Sequence, residues 1–144
     1  YITTTEDKHP EIHVEHDIFG KHCVVGTFGQ GYNYRLTDSY NASDGRIIKG
    51  EYPAIISYSV ATSPQFPEHI ANLRKKGIKR VFVVGWAYTH CAGESAIAYA
   101  SQGFETYIIR DLTRSVPLPY GDPVKMKKKL ALYGVKEIYL KDIA

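Results

Sequence analysis

Cys91 lies where a strand pattern gives way to a helix pattern, a place from which a thiolate can attack an electrophile. Val81-Phe82-Val83-Val84 is a continuous apolar run ending at Gly85, which predicts a strand buried on both faces. Residues 91–102 are rich in alanine, with Gly103 as the expected helix stop. A helix N-terminus and a nearby cation both favour thiolate over thiol. The unpaired N–H groups of a first helical turn could also hold the oxyanion of a tetrahedral intermediate. A small, inert, buried thiol is the other reading of the same position.

Two further groups could serve such chemistry. Lys49 follows Ile47-Ile48 and precedes Gly50. A lysine at a strand end can stabilise a thiolate or an anion developing on a substrate, although most lysines are solvated surface charges. Asp7-Lys8-His9 is the third feature, with His13, His16 and His22 following. Asp and His one residue apart project to the same side of an extended chain and can reach one ion. Four of the six histidines fall between residues 9 and 22. A mixed carboxylate and imidazole set suits Zn, Fe(II) or Mn, against the plainer reading of a polar histidine-rich loop. Spacing alone leaves open which histidines ligate.

The elements that must position these groups alternate. Strands are expected near Ile2, Ile47, Val81, Thr106 and Glu137, and helices over 67–76, 91–102 and 123–132. Strands separated by helices imply right-handed crossovers and an α/β fold with a mostly parallel sheet, whose ligand sits beyond the carboxyl ends of the strands. Asp7 and His9, Lys49, and the 86–91 segment all follow strand ends, and that convergence predicts an enzyme.

Bulk properties narrow the class. The 144 residues suit one domain, are 44% apolar and carry a formal charge of +3. No apolar run reaches the length of a membrane span. Lys125, Lys127, Lys128 and Lys129 read as a solvated helix face, so no nucleic acid partner is expected. Two cysteines make no disulfide framework, and the first residues do not read as a signal peptide, so a cytoplasmic setting is expected.

Taken in order, the motifs resemble the nicotinamidase (pyrazinamidase) branch of the isochorismatase-like cysteine hydrolases. Asp7-Lys8-His9-Pro10-Glu11-Ile12-His13 is similar to that branch's Asp-Trp-His-Pro-x-x-His metal motif. His22-Cys23-Val24-Val25-Gly26-Thr27-Phe28-Gly29 resembles its His-Cys-Val-x-Gly-Thr-x-Gly segment. Lys49-Gly50 with Tyr58-Ser59 resembles the surroundings of the family lysine. Gly85-Trp86-Ala87-Tyr88-Thr89-His90-Cys91 looks like the nucleophile loop, and Asp111-Leu112-Thr113-Arg114-Ser115-Val116 falls where the family has Asp-x-x-Arg-x-Val.

The resemblance implies a three-layer α-β-α fold and an amidase that converts nicotinamide, or a similar small aromatic amide, to the acid and ammonia. Asp7, His9 and His22 would hold one divalent metal, with His13 a further candidate; Zn is the first choice, with Fe or Mn as alternatives. Cys91 would attack the carboxamide carbon, with Lys49 stabilising the thiolate. A cis peptide between Trp86 and Ala87 would aim the backbone N–H groups of Ala87 and Cys91 at the oxyanion. Phe19, Tyr58, Trp86 and His90 would line the substrate pocket. Cys23 would be structural. Family members are often homo-oligomers, although nothing in the pattern marks an interface.

Departures from the family set further expectations. The triad aspartate of the family ends a first, central strand tens of residues before the metal motif, and residues 1–144 hold no counterpart. The resemblance therefore implies a single domain over 1–144 that lacks its N-terminal strand. Lys8 in place of tryptophan and Tyr88-Thr89 in place of Thr-Asp leave open another small amide or an N-carbamoyl substrate. A catalytically silent metal- or ligand-binding relative is the reading from another class, and the absent aspartate favours it.

Overall fold

The computed structural model describes residues 1–143. The five strands are β1 (Thr3–Asp7), β2 (Gly45–Lys49), β3 (Arg80–Trp86), β4 (Glu105–Arg114) and β5 (Lys136–Ile138). The helices are α1 (His16–Phe19), α2 (Thr37–Asn41), α3 (Phe66–Lys75), α4 (Cys91–Ser101) and α5 (Pro123–Leu132). All five expected strands and all three expected helices are present. The two short helices α1 and α2 carried no periodic signal, being too brief to show one. Every strand pairing is parallel, as the alternation of strands and helices required.

Two compact units form, one from residues 1–57 and 62–65, the other from 58–61 and the chain from 66 on. In the first, β1 and β2 make a two-stranded sheet that runs in register from Thr3 opposite Gly45 to Asp7 opposite Lys49. A second contact extends it, where His9 bridges in parallel to Val24. The His9 N–H donates to the Cys23 carbonyl and the Val25 N–H donates to the His9 carbonyl, each at 2.9 Å. That bridge brings the 22–24 segment beside the residues that follow β1.

The second unit has the sheet order β3-β4-β5. Its core is Tyr88, Ala92, Ala96, Ile97, Ile108, Met126, Leu130 and Val135. The helices face it for reasons visible in their spacing. On α5, Met126 and Leu130 stand one turn apart and are buried, while Lys125, Lys127, Lys128 and Lys129 face outward as the expected solvated surface. The Asp122 carboxylate caps α5 by accepting the N–H groups of Val124 and Lys125, and Pro123 opens the helix where no N–H is needed. On α3, Phe66, Ile70 and Leu73 share the buried face.

The pairing of β3 with β4 slips after Val83, so that Gly85 lies opposite Thr113 and Trp86 opposite Arg114. The bulge takes up extra residues of β4, so that Arg114, the last residue of β4, ends opposite Trp86, the last of β3, beside the loop that follows. On β3, Phe82, Val84 and Trp86 remain exposed, so the expectation of a strand covered on both faces is not met within this unit.

Candidate functional site

At the end of β1, the register places Asp7 directly beside Lys49, and cross-ladder neighbours project to the same face. Lys49 is 3% exposed, and its ammonium donates to Asp7 Oδ1 at 2.5 Å. The Lys8 N–H donates to the Lys49 carbonyl, which locks the two strand ends together.

Beyond β1 the chain folds back in a tight run of histidines. His9 and His13 stack with ring centroids 4.0 Å apart, and His22 meets His9 edge-on at 4.9 Å. His16 lies 5.5 Å from His22 and 5.7 Å from His9 and from His13. Phe19 stands edge-on to His22 at 5.9 Å. Glu15, which the sequence reading passed over, belongs to the same cluster. Ligand-capable atoms of His9, His13 and Glu15 lie within 4.8 Å of one another, and all three residues are buried.

The cluster is electrically unfinished. Among the described residues, His9 Nε2, His13 Nε2 and His16 Nδ1 are buried without a hydrogen-bond partner. Each such group costs on the order of 1–3 kcal/mol, and His9 Nε2 and His16 Nδ1, whose other ring nitrogens face the Gly50 and His22 carbonyls, offer electron pairs that a cation would satisfy. Burial pushes the His13 imidazole below its usual range, with the His9 charge adding to the effect, which keeps it neutral. Burial pushes the Glu15 carboxyl up, but the N–H and O–H of Ser57 and the charges of His9 and Lys49 outweigh it, so its pKa falls and it is ionised. Imidazoles with a carboxylate fit zinc.

Gly50 makes the packing around His9 feasible. Its φ is +81°, and a Cβ there would stand 2.6 Å from the His9 ring. Its carbonyl accepts a hydrogen bond from His9 Nδ1 at 3.0 Å. Cys23 lies nearby with φ +50° and is partly buried; burial and the charges of Asp7 and Glu15 push its thiol up, against the pull of Lys49.

In the second unit, Cys91 is the first residue of α4 and is partly exposed. The Trp86–Ala87 peptide is cis, as the resemblance implied. The Ala87 carbonyl accepts from the N–H groups of His90 and Ala92, both at 3.0 Å, which folds the loop into the start of the helix. Tyr88 N–H donates to the Arg114 carbonyl at 2.8 Å, so the extended tail of β4 supports the loop. Gly93 allows the close approach of α4, since a Cβ there would stand 2.4 Å from the Tyr88 carbonyl oxygen and 2.7 Å from the Met126 sulfur.

Tyr88 and Thr89 replace the family residues, and both are used internally. The Tyr88 ring is buried, its hydroxyl donates to Glu137 at 2.9 Å, and the Arg110 guanidinium covers its face. Thr89 Oγ1 accepts the Val116 N–H at 3.2 Å and shares a hydrogen bond with His90 Nδ1 at 3.0 Å. Tyr58 meets the His90 ring edge-on at 4.9 Å, which unites two of the expected pocket residues. Trp86 is 80% exposed.

No family profile matches the chain. A nicotinamidase/pyrazinamidase of Mycobacterium tuberculosis is 32% identical over 95 residues, which are 66% of this chain and 50% of that protein. The chain has the isochorismatase-like hydrolase fold and is related in sequence to the nicotinamidases. It spans about half the length of that curated relative. A nicotinamidase of Acinetobacter baumanii superposes with a TM-score of 0.87 at 24% identity, covering 100% of this chain and 79% of the other. PnC1 of L. infantum, solved in complex with nicotinate, gives 0.82 at 27% identity, with 98% and 72% covered. The pyrazinamidase of Pyrococcus horikoshii, solved in complex with zinc, gives 0.77 at 26%, with 96% and 75% covered. Among the described residues, no helix is long and apolar enough to cross a membrane.

Proposed function

We propose that the protein is a metal-assisted cysteine amidohydrolase that converts nicotinamide, or a similar small aromatic amide, to the acid and ammonia. The observation that carries this reading is the position of Cys91, which opens α4 in a chain with the fold of the nicotinamidases. The nicotinate bound by the L. infantum relative and the zinc bound by the P. horikoshii relative support the substrate class and the metal.

In this reading the Cys91 thiolate attacks the carboxamide carbon and the carbonyl electrons move to oxygen. The backbone N–H groups of Ala87 and Cys91 stabilise that oxyanion, and Lys49 stabilises the thiolate. Collapse breaks the C–N bond, ammonia leaves with the proton the thiol gave up, and a thioester remains. Water then hydrolyses the thioester to the acid and restores the thiol. His9 and His22, with His13 beside them and carboxylates at Asp7 and Glu15, would hold the divalent ion. When bound, that ion supplies a Lewis-acid site for the ring nitrogen of the substrate. This reading assigns substrate contact to Phe19, Tyr58, Trp86 and His90. The reading places the reaction in the cytoplasm, where the two free cysteines stay reduced.

The test is ammonia release from nicotinamide by the purified protein and its Cys91→Ala variant, with intact-mass analysis of a quenched reaction. Turnover, loss of it in Cys91→Ala, and a transient acyl adduct on Cys91 are expected. Absence of turnover with nicotinamide and with related small amides would leave the silent relative as the better reading.

A further inference from the structure

Two side chains converge on one carboxylate oxygen of Glu137, which stands on β5. The Tyr88 hydroxyl donates to Glu137 Oε1 at 2.9 Å, and Arg110 Nε reaches the same oxygen at 3.2 Å. The β4–β5 register explains the meeting. Ile109 lies opposite Ile138, and Arg110 and Glu137 are their chain neighbours. The Arg110 guanidinium also stands 3.8 Å over the centroid of the Tyr88 ring. Lys127 on α5 faces the second Glu137 oxygen at 3.9 Å. Glu137 is therefore held from two elements while it accepts the tyrosine.

Tyr88 carries this anchorage to the loop between β3 and α4. Its ring is 1% exposed within the core, and its N–H donates to the Arg114 carbonyl at 2.8 Å. Burial and the bond to Glu137 push its phenol up, so it stays protonated and remains a donor. Filling the core needs only the ring, which a phenylalanine would also supply. The hydroxyl adds orientation, because holding the far end of a rigid ring fixes its tilt. That tilt is passed to the peptide joining Ala87 to Tyr88, and the Ala87 carbonyl in turn accepts the N–H groups of His90 and Ala92.

We propose that Glu137 is a positioning residue of the nucleophile turn, acting through Tyr88 to align the backbone N–H groups of Ala87 and Cys91; this rests on the reading of Cys91 as the nucleophile. A threonine, the residue of the family motif at this place, has no ring with which to reach β5. The anchorage therefore belongs to the Tyr88 substitution.

The test compares kcat and KM for nicotinamide hydrolysis by wild type, Tyr88→Phe, Glu137→Ala and Glu137→Gln. Misaligned oxyanion donors weaken the transition state and not substrate binding. Tyr88→Phe and Glu137→Ala are therefore expected to lower kcat at least about tenfold, with KM within about threefold of wild type. Glu137→Gln keeps an amide oxygen for the Tyr88 hydroxyl and is expected to bring kcat back to within about threefold. Urea midpoints define conditions in which each variant is folded during the assay. A purely structural role would lower the midpoint and leave kcat of the folded enzyme within about twofold of wild type. That result, or a Glu137→Gln as slow as Glu137→Ala, overturns the assignment and leaves the nucleophile reading standing. If Glu137→Ala does not fold, Tyr88→Phe, whose ring still fills the core, takes its place in the comparison with Glu137→Gln. Absence of wild-type turnover, or turnover that survives Cys91→Ala, overturns the nucleophile reading, and this assignment with it.

Discussion

Lys49 and Asp7 meet as register partners at the carboxyl ends of β2 and β1, and the ammonium is much the more buried of the two, 3% against 22% exposed. The carboxylate can rehydrate if its partner is lost, whereas the ammonium cannot. Asp7→Ala is therefore expected to cost about 3 kcal/mol or more of stability, and Lys49→Met clearly less. Urea unfolding of the two variants checks the order; equal costs would mean that the ammonium reaches water.

Cys91 and Cys23 are expected to separate under iodoacetamide. Burial and the neighbouring carboxylates push the Cys23 thiol up, which suppresses its thiolate at neutral pH. Peptide mapping after limited labelling should find the label on Cys91 first. Equal rates would count against an activated nucleophile.

Metal removal should act on both activity and stability. Dialysis against a chelator is expected to abolish amide turnover and lower Tm, and zinc to restore both, because an ion bound only by the folded state stabilises it. Turnover unchanged by chelation would remove the metal from the reaction.

Gly50→Ala should disturb the centre without removing a ligand. The new Cβ would stand 2.6 Å from the His9 ring at a backbone φ of +81°. A loss of about 1–3 kcal/mol is expected from overpacking, together with weaker zinc binding. Calorimetric titration with zinc and a thermal melt read the two effects separately.

The Tyr99–His69 pair should shape both pH limits of the second unit. The hydroxyl and imidazole share a hydrogen bond of 3.1 Å between α4 and α3. Burial pushes Tyr99 up to about 12 from 10.0, so the stability tied to its neutral form is complete below pH 10 and fades as pH rises through about 12. Burial pushes His69 down from 6.5, so the unfolded chain takes up the proton first and stability falls as pH drops below that value. His69→Gln is expected to flatten the acid limb of a plot of urea midpoint against pH. An unchanged limb would assign acid sensitivity to other groups.

The order of elements was legible because it rests on local signals. The 81–84 apolar run and the alanine-rich stretch after Cys91 each act within a few residues, so strand, turn and helix followed from sequence. The motif order around Asp7, His9, His22, Lys49 and Cys91 carried the family resemblance for the same reason. Tertiary structure decided how the charges are shared. Asp7 and His9 look like one ligand pair by spacing, yet parallel register gives Asp7 to Lys49, 42 residues away. Glu15 looks like a loop acid, yet Ser57, equally distant in sequence, turns it toward His9 and His22. Tyr88 reads as a pocket substitution, yet its ring is enclosed between Arg110 and the core. Hydrogen bonds and ion pairs between distant segments depend on which strands lie side by side, and no local pattern encodes that.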